Sequence, residues 1–311
     1  MTSTLNQLKM MTTVVADTGD LQAIARLKPV DATTNPSLIT KALSDPAFEP
    51  ILRQSLAKHH NDIDKVIDEL TVYIGTEILK LIDGRVSTEV DARLSFDTEA
   101  TIAKAKEYIQ AYEQAGVDKE RVLIKIASTW QGIQAGRELE QQGIHCNLTL
   151  LFGLHQAKAC ADANITLISP FVGRILDWQK KNLGVESVAI NEDKGVQSIK
   201  TIYAYYKQHG YKTQVMGASF RSVEQILALA GCDLLTIAPD LIDKMASMDV
   251  KIERQLFPDM QFEKLDKQTP DEATFNEQLN QDPMASELLQ GGIDGFVKAR
   301  EELVAKLQSL V

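Results

Sequence analysis

The sequence predicts a (β/α)8 barrel with additional helices, formed by residues 1–311 as a single domain. Three observations favour this fold. Short runs rich in Val, Ile, Leu and Thr recur eight times, helical patterns separate them, and no Pro- or Ser-rich linker divides the chain. Alternating strands and helices are typical of a parallel sheet covered by helices. Eight such units in this length favour a closed barrel, with a doubly wound sheet as the alternative.

Each predicted strand is one of these β-rich runs. They cover residues 11–17, 29–35, 84–92, 121–128, 145–152, 165–171, 212–219 and 234–239. In a barrel, the carboxyl ends of all eight strands face one mouth, where the active sites of this fold lie.

Helical periodicity accounts for the segments between the strands. After the third strand, apolar residues from Ile102 to Tyr112 follow one another at helical spacing. Two helices are expected between the second and third strands, one more than a minimal barrel needs. The tail predicts two or three helices, over roughly 271–280, 283–290 and 292–309, which would decorate the barrel or contact a partner subunit.

Charge and hydropathy exclude several classes of protein. The formal net charge is −10 and no basic block occurs, which argues against binding to nucleic acid or to an anionic membrane. No run of about 18 apolar residues predicts a transmembrane helix. The first fifteen residues lack the apolar core of a signal peptide, so a cytoplasmic protein is expected.

The cysteines and histidines predict neither a disulfide framework nor a metal site. Cys146, Cys160 and Cys232 are odd in number and form no CxxC pair, which fits reduced thiols in the cytoplasm. The five histidines form no HxH or HExxH motif, so no metal is expected. His155 is expected to cap the helix after the fifth strand or to face solvent.

Polar residues stand at or just beyond the ends of seven of the eight runs. They are Asp17, Asn35, Glu89, Lys125, Asn147 with Thr149, Ser169, and Ser219. Each buried polar group left unpaired would destabilise the fold by about 1–3 kcal/mol. Seven of them around one mouth therefore predict a functional site.

Lys125 lies within the apolar strand VLIKIAS. Because side chains alternate between the two faces of a strand, Lys125 shares a face with Leu123 and Ala127. If that face lines the barrel interior, loss of water favours the neutral amine, which can attack a ketone and form a Schiff base. Taken alone, a lysine that reaches solvent at the strand rim is the commoner arrangement.

Glu89 and Asp17 are the candidate acid–base groups, since carbinolamine dehydration and carbon–carbon cleavage both need proton transfers. Each could instead cap a helix or pair with a surface cation. A carboxylate close to Lys125 would hold the ammonium charged. We therefore expect Glu89 to lie at a distance from Lys125 and to act through a water molecule.

Arg174 and Arg221 predict a phosphate site. Each follows an apolar run, and the planar guanidinium group suits a phosphate. Ser219 can add a hydroxyl donor, and the helix expected after Phe220 would favour an anion at its start. Pairing of each arginine with a surface carboxylate is the alternative, and no Gly-rich phosphate loop occurs.

These motifs together resemble those of the transaldolase family, in particular its bacterial members. The matching segments are VVADTGD, DATTNPSLI, RVSTEVDARLS, RVLIKIASTWQGI, CNLTLLF, LISPFVGRILDW, VMGASFRS, AGCDLLTIAP and NQDPMA. The resemblance implies a (β/α)8 barrel, a homodimer, and a role in the non-oxidative pentose phosphate pathway. It implies transfer of a dihydroxyacetone unit from a ketose phosphate to an aldose phosphate, with no metal or organic cofactor.

The resemblance also implies roles for individual residues. Lys125 matches the Schiff-base lysine, Asp17 the acid–base group for cleavage, and Glu89 a carboxylate that works through a water held by Thr149. The residues that match substrate contacts are Asn35 and Asn147 for hydroxyl groups, Ser169 and Phe171 for the dihydroxyacetone end, and Arg174, Ser219 and Arg221 for the phosphate.

Two other functions stay open on the sequence. One is a lyase on the same scaffold that releases free dihydroxyacetone, as a fructose-6-phosphate aldolase does. In this chemistry, cleavage leaves a three-carbon enamine on Lys125. An apolar ring of Phe171 beside that enamine argues against the lyase, because such a ring gives water no hydrogen-bond partner. The other is a non-catalytic barrel that binds sugar phosphates.

Overall fold

The computed structural model describes residues 2–261 and 263–310. Within them, eight parallel strands form a closed barrel in chain order, and each lies inside its predicted run. The strands are β1 (Thr13–Asp17), β2 (Asp31–Thr33), β3 (Val86–Glu89), β4 (Val122–Ala127), β5 (Cys146–Leu151), β6 (Leu167–Pro170), β7 (Gln214–Gly217) and β8 (Leu234–Ile237). β1 pairs with both β2 and β8, which closes the barrel, and the predicted fold is confirmed.

Helices surround the barrel and extend beyond it. They are α1 (Thr4–Lys9), α2 (Leu21–Leu27), α3 (Pro36–Ala42), α4 (Glu49–Lys58), α5 (Ile63–Leu79), α6 (Thr98–Gln114), α7 (Trp130–Gln141), α8 (Leu154–Asp162), α9 (Gly173–Leu183), α10 (Lys194–Gln208), α11 (Val223–Leu227), α12 (Pro239–Ser247), α13 (Glu272–Gln281) and α14 (Pro283–Gln308). No helix among the described residues is long and apolar enough to cross a membrane.

Two details of the predicted helices were wrong. Three α-helices, α3 to α5, join β2 to β3 where two were expected. The segments 283–290 and 292–309 are one continuous helix, because the Gly291–Gly292 pair stays helical and does not break it. Gly292 lies against Leu150 of β5, where a Cβ atom would come within 2.6 Å of the leucine side chain. Gly292 therefore allows close packing of the helix on β5. A Gly-Gly pair in the sequence does not distinguish this role from a break in the helix.

The two faces of β4 lie in different parts of the core. Leu123 belongs to an interior cluster with Val15 and Leu167 from other strands. Ile124 and Ile126 belong to the large core between the barrel and its helices. This separation confirms the alternation read from VLIKIAS, so the side of β4 that carries Lys125 faces the barrel interior.

A second apolar layer covers the carboxyl-terminal mouth of the barrel. Leu150, Phe152 and Phe171 from the barrel side pack there against Leu289 and other side chains of α14. The tail was expected to decorate the barrel or to meet a partner subunit. α14 does pack on the barrel, where it runs over the mouth because its apolar face is buried against the strand ends.

Candidate active site

A cavity of about 200 Å³ opens at the carboxyl-terminal mouth, beneath α14. Nine of the eleven predicted site residues line it: Asp17, Asn35, Lys125, Thr149, Ser169, Phe171, Arg174, Ser219 and Arg221. Glu89 and Asn147 lie behind this wall and touch its residues. The structure therefore brings all eleven together at one end of the barrel.

Strand register places Glu89, Lys125 and Asn147 at one level of the barrel. Glu89 of β3 pairs with Lys125 of β4, which pairs in turn with Asn147 of β5. Lys125 is 6% exposed, and its Nζ donates a hydrogen bond to the carbonyl oxygen of Thr34 at 3.4 Å. The amine is thus held inside the barrel and pointed at the cavity wall.

Glu89 contacts Lys125 directly, so the expected separation of these two groups was wrong. Glu89 Oε2 lies 3.0 Å from Lys125 Nζ, and the two groups form an ion pair. The cause is the register, which sets the two residues side by side on neighbouring strands. Period-two patterns in sequence predict the face of a side chain but not its partner on the next strand.

Burial dominates the electrostatics of Glu89. Desolvation raises the pKa of this carboxyl above its usual value, although the charges of Lys125 and Arg174 act in the opposite direction. A carboxyl with a raised pKa can take up and return a proton closer to neutral pH. Glu89 and Lys125 therefore place an acid–base group and an amine side by side in a buried site.

Asp17 stands at the end of β1, level with Thr33 of β2. Its Oδ1 accepts a hydrogen bond from Thr33 Oγ1 at 3.1 Å, and Thr236 Oγ1 lies 3.4 Å from the same hydroxyl. Both threonines line the cavity and neither was predicted. Threonine is common throughout strands, so its presence in the sequence gave no signal.

Thr149 and Ser169 provide hydroxyls on the β5–β6 side of the site. Thr149 Oγ1 is buried and has no hydrogen-bond partner among the described residues. Ser169 Oγ donates to Asn147 Oδ1 at 2.5 Å, and Asn147 Nδ2 donates to Ser87 Oγ at 2.9 Å. Asn147 thus has both polar ends engaged, and it fixes the orientation of Ser169.

Asn35 belongs both to a helix cap and to the cavity wall. Its Oδ1 accepts a hydrogen bond from the backbone N–H of Leu38 at 3.0 Å and so caps α3. Because the oxygen is engaged, the amide nitrogen is the group that can donate to a ligand.

Arg174 is a cation without a counter-ion within contact distance in the described part of the chain. No hydrogen bond or ion pair joins it to another described side chain, and its guanidinium lies 4.8 Å from the ring centroid of Phe171. Burial lowers the pKa of Arg174, and the charge of Arg221 lowers it further. A half-buried, unpaired guanidinium at a cavity wall is suited to an anionic ligand group.

Arg221 is held differently. Its Nη2 lies 2.7 Å from Asp177 Oδ2, and its Nη1 donates to Ser219 Oγ at 3.2 Å. The helix expected after Phe220 is α11, which has only five residues and is capped by Ser222. Any anion at this end of the cavity would therefore depend on the two arginines more than on a helix dipole.

Comparisons with known proteins identify the family of this chain. The model of the transaldolase/fructose-6-phosphate aldolase family matches residues 14–307. A transaldolase from Synechocystis sp. is 56% identical over 309 residues, covering 96% of this chain and 79% of the relative. A transaldolase from Cellvibrio japonicus is 55% identical over 315 residues, covering 99% of each chain. The chain belongs to the transaldolase/fructose-6-phosphate aldolase family.

In this member of the family, the tail helix supplies a residue that sequence reasoning missed. Phe296 of α14 lines the cavity, with its ring centroid 5.8 Å from Lys125 Nζ and 5.7 Å from the Arg174 guanidinium. A lone aromatic residue in a helical pattern is more often part of a core, so the sequence held no signal for it.

The expectation for His155 was wrong. It is 7% exposed, and its ring lies 5.6 Å from that of Phe275 of α13. Its Nε2 is buried without a hydrogen-bond partner among the described residues. The tail helices fold over the start of α8 and exclude water there, which no local pattern could show.

Proposed function

We propose that the protein is a transaldolase, a transferase that moves a dihydroxyacetone unit through a Schiff base on Lys125. The donor is a ketose phosphate, sedoheptulose 7-phosphate or fructose 6-phosphate. The acceptor is an aldose phosphate, glyceraldehyde 3-phosphate or erythrose 4-phosphate. This places the enzyme in the non-oxidative pentose phosphate pathway, and the transaldolases among its relatives support that assignment.

The observation that carries the proposal is the position of Lys125. Its amine lies inside the barrel, 3.0 Å from a buried carboxylate and on the wall of a cavity that also contains Arg174. The amine attacks the donor ketone, and loss of water leaves an iminium on the lysine. The two arginines and Ser219 hold the phosphate at the opposite end of the cavity.

Proton transfers are assigned to the two carboxylates. Glu89 exchanges a proton with the forming carbinolamine, as its raised pKa permits, and Thr149 orients the water that relays it. Asp17 removes the proton from the donor hydroxyl as the carbon–carbon bond breaks. The aldose phosphate leaves, and the enamine stays on Lys125 until an acceptor arrives.

Substrate hydroxyls are assigned to the remaining polar residues. Asn35 donates from its amide nitrogen, and Ser169, oriented by Asn147, contacts the dihydroxyacetone end. Phe171 lies beside that end and is 7% exposed, so it keeps water from the reacting carbon.

The test is reduction with borohydride in the presence of fructose 6-phosphate, followed by peptide mass mapping. We expect a dihydroxyacetone-derived adduct on Lys125 and none in Lys125→Met. Erythrose 4-phosphate should then convert the unreduced intermediate to sedoheptulose 7-phosphate. Absence of an adduct, or an adduct spread over surface lysines, would favour a barrel that binds sugar phosphates without catalysis.

A second candidate is the fructose-6-phosphate aldolase activity that the family description also names. It predicts steady release of free dihydroxyacetone without any acceptor. Phe171→Tyr would place a hydroxyl beside the enamine and should raise that release. No rise over the unchanged protein would contradict the role given to Phe171.

We further propose that the enzyme acts as one catalytic domain over residues 1–311, as a homodimer in the cytoplasm, and without a metal. Cys146, Cys160 and Cys232 are buried free thiols, which fits a reducing compartment. The iminium serves as the electron sink, so activity should survive EDTA unchanged. Analytical ultracentrifugation tests the dimer.

A further inference from the structure

One face of α14 attaches this helix to the barrel mouth. Phe296 and Arg300 lie one turn apart on this helix and are each 8% exposed. Residues four apart share a helix face, so both point towards the barrel. Phe296 reaches the cavity that contains Lys125, and Arg300 reaches the loop that follows β3.

Arg300 is tied to that loop by charge. Its Nε lies 2.7 Å from Asp91 Oδ2, and both side chains are about 10% exposed. Its Nη2 donates to Asp64 Oδ1 at 2.5 Å. The contact with Asp91 is an ion pair without a hydrogen bond, because Arg300 Nε has no hydrogen-bond partner among the described residues. The two carboxylates still hold the guanidinium of Arg300 from two sides, since a buried charge is stabilised by opposite charge close to it.

Asp91 connects this ion pair to the active site. It follows Glu89 by two residues, and its Oδ1 accepts a hydrogen bond from the backbone N–H of Arg93 at 2.9 Å. Glu89, Asp91 and Arg300 line a cavity of about 30 Å³, which is enough to hold a water molecule. The strand end that carries Glu89 and the helix that carries Phe296 are therefore linked through one pair of charges.

Phe296 forms part of the cavity wall beside the amine. Its ring centroid lies 5.8 Å from Lys125 Nζ and 5.7 Å from the Arg174 guanidinium. Phe171 lines the same cavity. An apolar wall offers an attacking water no hydrogen-bond partner, so its placement affects how long an enamine survives.

We propose that Arg300 is a positioning residue that, through Asp91, holds Phe296 over Lys125 and thereby sets the partition of the enamine between aldose acceptor and water. This inference rests on the proposed function. In the unwanted reaction, the enamine carbon takes up a proton and water adds to the resulting iminium carbon with loss of a proton. The carbon–nitrogen bond to Lys125 then breaks, which releases dihydroxyacetone and restores the free amine.

The experiment measures the ratio of free dihydroxyacetone to sedoheptulose 7-phosphate formed from fructose 6-phosphate and erythrose 4-phosphate. We expect Arg300→Gln to raise this ratio about tenfold. A displaced Phe296 would admit a water and leave it one hydrogen-bond partner, and one hydrogen bond in the transition state speeds the addition of water by roughly that factor. Phe296→Ala should raise it at least as much. Arg300→Lys, which keeps one charged donor for Asp91, should restore most of the original ratio.

Lys298→Gln is the matched control, since Lys298 is exposed on the same helix. It should leave the ratio unchanged. Arg300→Gln is expected to fold because Asp91 keeps its ion pair with Arg93, at 2.6 Å. If it does not fold, Asp91→Asn, which removes the charge at the other end of the same ion pair, and Phe296→Leu provide the comparison, and each should raise the ratio.

The outcomes separate this inference from the proposed function. An unchanged ratio in folded Arg300→Gln and Phe296→Ala, whatever their rates, overturns the inference and leaves the transaldolase assignment intact. Loss of stability alone, with the ratio unchanged, assigns Arg300 a structural role only. If the unaltered protein shows neither transfer nor a borohydride adduct, the proposed function fails, and the inference fails with it.

Discussion

At the scale of single residues, the site is organised by which charges have partners. Lys125 and Glu89 neutralise each other within the barrel, and Arg221 is paired with Asp177. Arg174 has no such partner among the described residues, and its guanidinium lies close to the rings of Phe171 and Phe296. This leaves one end of the cavity with uncompensated positive charge, which is where we place the phosphate.

Replacement of Arg174 tests that placement. Arg174→Gln should lower kcat/KM for fructose 6-phosphate by roughly ten- to a hundredfold, since a hydrogen bond to a charged group contributes about 1.5–3 kcal/mol. Arg221→Gln should lower it less, because Asp177 already takes part of that charge. Steady-state kinetics with fructose 6-phosphate and with unphosphorylated fructose give the comparison.

The control is the unphosphorylated donor. Fructose should be used about equally well by the unaltered protein and by Arg174→Gln. An equal loss for both donors would place Arg174 in the packing of the site and remove it from phosphate binding.

At the scale of elements, close contact between β5 and α14 builds the roof of the cavity. Leu150 has a left-handed backbone, with φ of 52°, where the register of β5 with β6 shifts. Gly292 of α14 lies directly against its side chain. The irregular strand and the glycine together let the helix approach the strand ends closely.

The glycine pair of α14 provides a matched test of this contact. In Gly292→Ala, the added Cβ would lie 2.6 Å from Leu150 Cδ2 and 3.2 Å from Arg174 Nη1. Because Leu150 is fully buried, we expect overpacking to lower the free energy of unfolding by about 1–3 kcal/mol. kcat/KM should fall as well, since the helix is displaced from the mouth.

Gly291→Ala is the control one residue away. Its Cβ would meet no atom within 4 Å, so it should raise the free energy of unfolding by about 0.5–1 kcal/mol through helix propensity. Urea denaturation of both variants gives the comparison. Equal effects of the two substitutions would show that the contact with Leu150 carries no energy.

At the scale of the whole molecule, closure of the tail over the barrel buries groups that titrate. His155 lies at the start of α8 under α13, and burial lowers its pKa to about 4. The folded-state pKa is below the unfolded value of about 6.5, so the unfolded chain binds the proton more tightly. Stability from this group is therefore present above about pH 6.5 and is lost as the pH falls towards 4.

His155→Leu should reduce the acid sensitivity of the fold. Between pH 7 and pH 5, His155 should account for a loss of about 2 kcal/mol in the free energy of unfolding. Urea denaturation at the two pH values gives this difference for the variant and for the unaltered protein. The control is His60→Asn, at an exposed histidine, which should show the same pH difference as the unaltered protein. If His155→Leu also showed the same difference as the unaltered protein, His155 would not be the group that causes the acid sensitivity.

The sequence alone predicted the barrel, the eight strands and a constellation of eleven site residues around its mouth. Most of these features follow from local patterns, whereas Phe171 came only from the resemblance to transaldolases. Period-two alternation placed Lys125 on one face with Leu123, and the polar residues at the ends of seven runs can be recognised without knowledge of neighbouring strands. Strand order then made the constellation converge, because parallel strands in a closed barrel carry all their carboxyl ends to one mouth.

Only the tertiary structure decided the contacts between elements that are distant in the chain. The register of β3 on β4 set Glu89 against Lys125, where a separation was expected. The path of α14 brought Phe296 into the cavity and Arg300 onto Asp91. Such contacts depend on how whole elements pack in three dimensions, and a one-dimensional pattern records the face of a side chain but not what lies opposite it.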